Sequence, residues 1–168
     1  VVKATFDSRG GSLIRLELLR HADVEDRQRH VLLFEQSAER AYAAQTGLIT
    51  AQAGVALPNH LSPMRRLPGA SALASGSNEL QLRFESADDG GVKLAKTFTF
   101  KRGDYTIGVR HEVLNASAAP VSPQLYLQLA RDGNAPRGES SFYFTFTGPA
   151  VYTDAKKFEK IDFKDIEK

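Results

Sequence analysis

The chain has 168 residues, of which 42% are hydrophobic and 25% charged, and these are values of a folded domain rather than of a disordered segment. Its formal net charge of +2 is too small to indicate a nucleic-acid partner, and the absence of cysteine excludes disulfides, a thiolate nucleophile and every cysteine-ligated metal site. No apolar run reaches the roughly 18 residues that a membrane-spanning helix needs, so we expect membrane attachment only through segments outside this chain.

Alternating apolar and polar residues predict a β-hairpin at the start of the chain. Residues 2–6 and 14–18 both show this period of two, which places one face of a strand on a core and the other in water. Ser8-Arg9-Gly10-Gly11 separates the two runs. The paired glycines indicate a turn that contains a positive φ, a conformation that glycine adopts without strain.

The next part of the chain changes from strand patterns to an irregular segment. Residues 31–35 form a short apolar run that predicts a buried strand, and 42–50 favour a second strand, with Gly47 as a candidate bulge. Residues 37–41 between them suit one helical turn. Residues 51–78 contain three prolines among small and polar residues, which predicts a long excursion with little regular structure.

The most regular pattern in the chain predicts a long β-hairpin in its centre. Apolar and polar residues alternate over most of 92–100 and 105–113, and Arg102-Gly103-Asp104 supplies the turn between them. A preceding run at 80–84 alternates as well, so that residues 79–114 are expected to form a three-stranded meander.

The last third of the chain predicts further strands. Alternating or β-favouring runs lie at 125–129, 142–147 and 150–153. In the charged tail 154–168, Ile161 and Phe163 favour a strand over a helix. Together these runs give about ten strands and little helix, which is typical of an all-β antiparallel sandwich.

Five stretches, in order along the chain, resemble the large periplasmic domain of YidC, the bacterial inner-membrane protein insertase. They are SRGGSLIRLELL (8–19), LLFEQSAERAYAAQTGL (32–48), FTFKRGDYTIGVRHEVLN (98–115), LYLQLAR (125–131) and SSFYFTFTGPAVYTDAKKFEKIDFKDIEK (140–168). The resemblance implies a large curved β-sandwich of the kind also found in galactose mutarotases. It also implies one periplasmic domain over 1–168, located at the periplasmic face of the inner membrane, with the family domain and the insertase core continuing beyond Lys168. Closing strands outside the chain would leave a sheet edge that pairs between copies.

No pattern of catalytic or metal-ligating residues stands out in the sequence. The charged loop 20–30 contains two His and two Asp, but their spacing fits no recognised metal site. His111 falls on the apolar parity of its strand beside Val109 and Val113, which favours a partly buried, hydrogen-bonded structural histidine. A mutarotase-type site needs a histidine and a glutamate that converge, and Glu112 must point to the opposite face of the strand. We therefore predict no enzyme activity, no cofactor and no metal.

The function implied by the resemblance is that of a non-catalytic accessory domain of an insertase that helps insert and fold membrane proteins. Its partners would be components of the Sec translocon, nascent membrane proteins or both. The predicted partner-binding residues combine aromatic area with positive charge; they are Tyr143, Tyr152, Lys156, Lys157, Phe158 and Lys160. The alternatives are a carbohydrate-binding or aldose-epimerase-like β-sandwich, which rests on fold analogy alone, and a structural spacer.

Overall fold

The structure, a computed structural model, describes residues 1–88, 90–134 and 146–166. The chain divides into two compact units, Val1–Ala130 and Arg131–Lys168. No helix among the described residues is long and apolar enough to cross a membrane. The elements are β1 (Val2–Asp7), β2 (Ser12–Ala22), β3 (His30–Gln36), β4 (Ala41–Ile49), β5 (Met64–Arg66), β6 (Glu79–Ser86), β7 (Val92–Lys101), β8 (Ile107–Asn115), β9 (Gln124–Arg131), β10 (Ala150–Thr153), β11 (Lys157–Lys160) and α1 (Phe163–Ile166).

The first unit is an antiparallel β-sandwich, which confirms the predicted fold class. One sheet has five strands in the order β1-β2-β3-β4-β9, and the other has four in the order β5-β6-β7-β8. The core between them draws on both sheets and on the 51–63 segment. Its buried members are Leu48, Leu57, Met64, Phe84, Val92, Leu94 and Phe98.

The central hairpin explains why the core forms where it does. Val92, Leu94 and Phe98 alternate along β7 and are almost completely buried, at 1%, 0% and 5% exposure. From the other sheet, the Phe6 ring packs against Phe98 with a centroid distance of 4.5 Å. The predicted pairing of β7 with β8 is confirmed in register from Val92 with Asn115 to Phe100 with Ile107.

The predicted turns adopt the expected backbone conformations. The β1–β2 hairpin is confirmed, and Gly10 and Gly11 have φ of 72° and 57°. Gly103 in the β7–β8 turn has φ of 78°. The predicted meander is also confirmed and gains β5, the one strand within the otherwise irregular 51–78 segment.

Two local predictions, at 37–41 and in the tail, were wrong. Residues 37–40 form a tight turn rather than a helical one, because the Arg40 carbonyl accepts a 2.8 Å hydrogen bond from the Ser37 amide. The bulge at Gly47 stays a prediction; the structure shows close packing there, since a Cβ would lie 2.7 Å from the Asn59 Cα. In the tail, the strand ends at Lys160, and Phe163 begins the short helix α1.

One predicted strand cannot be compared with the structure over most of its length. Of the run 142–147, residues 142–145 lie outside the described residues, and Phe146 and Thr147 are not in a strand.

Candidate docking surface

The hairpin of β10 and β11 in the second unit contains most of the predicted partner-binding residues. Its strands pair antiparallel, with Tyr152 directly opposite Phe158 and Ala150 opposite Lys160. The Thr153 hydroxyl accepts a 3.1 Å hydrogen bond from the Lys156 amide and so caps the turn. These bonds give the hairpin a fixed register, and the register decides which side chains share a face.

Tyr152 and Phe158 form an exposed aromatic pair. Their residues are 65% and 63% exposed, although directly opposed side chains on a sheet have Cβ atoms only about 5 Å apart. Aromatic side chains gain more than most others from leaving water. A pair that remains exposed on one face is therefore a candidate contact area for another molecule.

Two lysines of the hairpin lie beside aromatic rings. The Lys157 ammonium lies 5.9 Å from the centre of the Tyr152 ring, at the limit of a cation–π contact. The Lys160 ammonium lies 5.2 Å from the centre of the Phe146 ring. Both positive charges thus lie beside aromatic rings and are not paired with carboxylates by any ion pair found among the described residues.

The third lysine of the hairpin has a different environment. Lys156 lies in the turn, and its ammonium is 3.3 Å from a carboxylate oxygen of Glu159. Glu159 is opposite Val151 in the register, and this pair alternates with the Tyr152–Phe158 pair, so it lies on the other face. The register therefore places Tyr152, Phe158 and Lys160 on one face. Lys157 has the opposite parity but its ammonium reaches the Tyr152 ring, and the Lys156 ammonium pairs with Glu159. Tyr143, the sixth predicted residue, lies outside the described residues.

The sequence interpretation missed a buried polar cluster in the first unit. Lys96 is 0% exposed, and its ammonium donates to the main-chain carbonyls of Gly10 at 2.5 Å and Thr46 at 2.6 Å. Burial lowers the pKa of Lys96 from 10.5 to about 8. The sequence contained a signal, because Lys96 occupies the apolar parity of β7 between Leu94 and Phe98.

His111 completes this cluster and is the structural histidine that the sequence predicted. Its Nε2 lies 2.8 Å from the Thr46 hydroxyl, and the ring is partly buried. Burial lowers the pKa of His111 below 6.5, and the nearby charge of Lys96 lowers it further. Glu112 points to the opposite face, as predicted, and a hydrogen bond from Arg83 lowers the pKa of its carboxyl. These two side chains do not converge as an epimerase site would require.

The described structure defines an all-β sandwich domain with an aromatic and lysine surface on a separate hairpin. A profile of the YidC periplasmic domain matches it over residues 1–168, and the chain belongs to this family. The membrane protein insertase YidC of Janthinobacterium sp. (strain Marseille) is 48% identical over 168 residues, which are 100% of this chain and 29% of that protein.

Other insertases of the same name show a similar relationship. The YidC of Bordetella parapertussis is 45% identical over 168 residues, with 100% of this chain and 29% of that protein covered. The YidC of Dechloromonas aromatica is 46% identical over 166 residues, with 99% and 29% covered. The chain thus spans under a third of the length of these relatives. Family membership confirms both the resemblance seen in the sequence and the predicted location on the periplasmic side of the inner membrane.

Proposed function

We propose that this chain is a non-catalytic periplasmic module of a membrane protein insertase and that the β10–β11 hairpin is its docking surface for a protein partner. The partner would be a component of the Sec translocon or a membrane protein during insertion. The observation that supports this function most is the exposed pair of Tyr152 and Phe158, with the Lys157 ammonium over the Tyr152 ring.

The chemistry of this surface favours a protein partner. Aromatic residues are enriched in the centres of protein interfaces, where they supply contact area at a low cost in conformational entropy. The ammonium groups of Lys157 and Lys160 would then face acidic side chains or carbonyl groups of the partner. Self-association through an open sheet edge stays a separate prediction.

The polar groups of the first unit support a role that is not catalytic. A general base or a nucleophile needs a free lone pair that can reach the substrate. Lys96 is fully buried with its bonds directed at two carbonyls, and His111 is bonded to Thr46. We therefore assign the insertase activity named in the relatives to parts of the full protein outside this module.

Site-specific photocrosslinking of the full protein in native membranes tests this docking surface. Probes at Tyr152 and Phe158 are expected to give discrete adducts with one Sec component or with a nascent membrane protein. Probes at the exposed Gln81 and Thr106 of the first unit are the controls and should give none. Absence of adducts from the hairpin, in a protein that still inserts its substrates, would favour the spacer alternative.

Reversing two charges on the hairpin should weaken docking without unfolding the domain. We expect Lys156→Glu combined with Lys157→Glu to reduce the adduct yield from Phe158 about tenfold, because rim charges mainly set the rate of encounter. The melting midpoint should stay nearly unchanged, since the exposed ion pair of Lys156 with Glu159 stabilises the fold by at most about 1 kcal/mol.

The matched control for this charge reversal is Lys101→Glu, which alters an exposed lysine of the first unit. It should leave the adduct yield unchanged. A drop in the melting midpoint of the hairpin variant that parallels its loss of adduct would mean that the two lysines maintain the fold and do not dock a partner.

A further inference from the structure

The buried cluster around Thr46 connects the two sheets of the sandwich by polar bonds. Lys96 belongs to β7 in the four-stranded sheet. The two carbonyls that accept its hydrogen bonds belong to the β1–β2 turn, at Gly10, and to β4, at Thr46, both in the five-stranded sheet. Apolar contacts in the core are non-directional, whereas these bonds fix one position of one sheet against the other.

A second bond joins Thr46 to β8, the edge strand of the four-stranded sheet. His111 of β8 is the cross-strand neighbour of Lys96 and contacts the hydroxyl of Thr46. Among the described residues, β8 pairs only with β7 and is the last strand of its sheet. Its position over β4 depends on its pairing with β7, on the contact of His111 and on its partly exposed apolar side chains, such as Val109 and Val113, which are 37% and 40% exposed.

Within the part of the chain that the structure describes, the groups around this cluster carry no negative charge. From β6 the residue opposite Lys96 is Phe84, and β4 contributes the hydroxyl and carbonyl of Thr46. The ion pairs of Arg83 with Glu85 and Glu112 lie on the opposite face of the sheet. No ion pair found among the described residues includes Lys96 or His111. A proton on His111 would thus place a second positive charge beside the first.

We propose that Lys96, Thr46 and His111 form a latch between the two sheets, which holds the edge strand β8 over β4 and which acid releases. When His111 gains a proton, repulsion from the Lys96 ammonium and the cost of burying a charge favour a state in which β8 has separated from β7 and moved away from the core. The side chains Ile107, Val109 and Val113 become fully accessible in that state.

The sign of the acid effect follows from the lowered pKa of His111. The imidazole binds a proton more tightly in the open state, where its pKa is near 6.5, than in the closed one. The closed state is therefore fully favoured above pH 6.5 and loses stability as the pH falls through and below that value. The Lys96 ammonium keeps its charge throughout this range, because its pKa of about 8 lies above it.

Hydrogen exchange of the full protein, read by mass spectrometry as protection factors, tests the latch. Between about pH 7.5 and pH 5, peptides that cover Ile107–Asn115 should lose about tenfold in protection, and those that cover β1 should change little. In His111→Gln, which cannot gain a charge, the acid-induced loss at β8 should disappear. His30→Gln, at an exposed histidine of β3, is the matched control and should behave as the wild type.

Two results would overturn the latch: equal acid-induced loss in His111→Gln, or no loss at β8 in the wild type. Thr46→Val provides a second test should His111→Gln lack native protection at neutral pH. It removes the hydroxyl but keeps the carbonyl that binds Lys96, so it should lower the protection of β8 selectively at neutral pH. Unchanged protection of β8 in Thr46→Val would contradict the proposal as well.

Discussion

Raising the pH from 8 to above 10 will increase the free energy of unfolding of the first unit by roughly 3 kcal/mol, and Lys96→Met will abolish this increase. The pKa of Lys96 is lowered from 10.5 to about 8 in the folded chain. Between these values the unfolded chain binds a proton that the folded chain does not, so stability rises with pH. The neutral amine still has two N–H groups to donate to Gly10 and Thr46.

Urea denaturation at a series of pH values measures this effect as the difference between variant and wild type. The control is Lys93→Met, since Lys93 lies in the same strand but is exposed beside Asp88. It should retain the full alkaline increase. An increase of the same size in Lys96→Met would show that Lys96 is not the group responsible.

Two opposing terms decide the stability of Lys96→Met at neutral pH. The variant no longer buries an ammonium, and this stabilises it by the roughly 3 kcal/mol that corresponds to the lowered pKa of Lys96. It also leaves the carbonyls of Gly10 and Thr46 without their partner, at about 1 to 3 kcal/mol each. The free energy of unfolding of the variant should therefore be closest to that of the wild type near neutral pH. It should fall furthest below the wild type above pH 10, where the wild type no longer buries a charge and the variant still lacks the two hydrogen bonds.

Lys96 shows which features of a strand its alternation pattern predicts and which it does not. The period of two correctly predicted the pairing of β7 with β8 and a core face that includes Val92, Leu94 and Phe98, because these predictions depend only on parity. The same parity places Lys96 inside. The partners of its ammonium come from sequence positions 86 and 50 residues away, and no local pattern predicts such contacts.

Tyr152 and Phe158 were selected from the sequence for their aromatic area, and the hairpin that pairs them was not predicted. The two residues are separated by a short turn, and the register of the β10–β11 hairpin places them opposite each other. Their exposure was not predictable, since Phe98 has the same side chain as Phe158 and is buried. The helix at Phe163–Ile166 was missed because four residues show neither a helical nor a strand period clearly.

Gly10→Ala should destabilise the first unit by about 3 kcal/mol or more, far beyond the usual cost of replacing a glycine. Gly10 has φ of 72°, which costs an alanine about 1 kcal/mol. A Cβ at this position would also lie 2.6 Å from both the carbonyl carbon and the Cα of His60, and main-chain atoms cannot rotate away. Relief of this clash would move the Gly10 backbone, whose amide donates to the Ser62 carbonyl at 2.8 Å and whose carbonyl binds Lys96.

Gly103→Ala measures the cost of an alanine at a positive φ without a steric clash of its Cβ. Gly103 has a similar φ of 78°, but a Cβ there would meet no atom within 4 Å. We expect it to cost only about 1 kcal/mol in chemical denaturation, in contrast to Gly10→Ala. Similar losses in both variants would mean that the β1–β2 turn yields to the side chain, and that the close approach of the His60 backbone does not hold the turn in place.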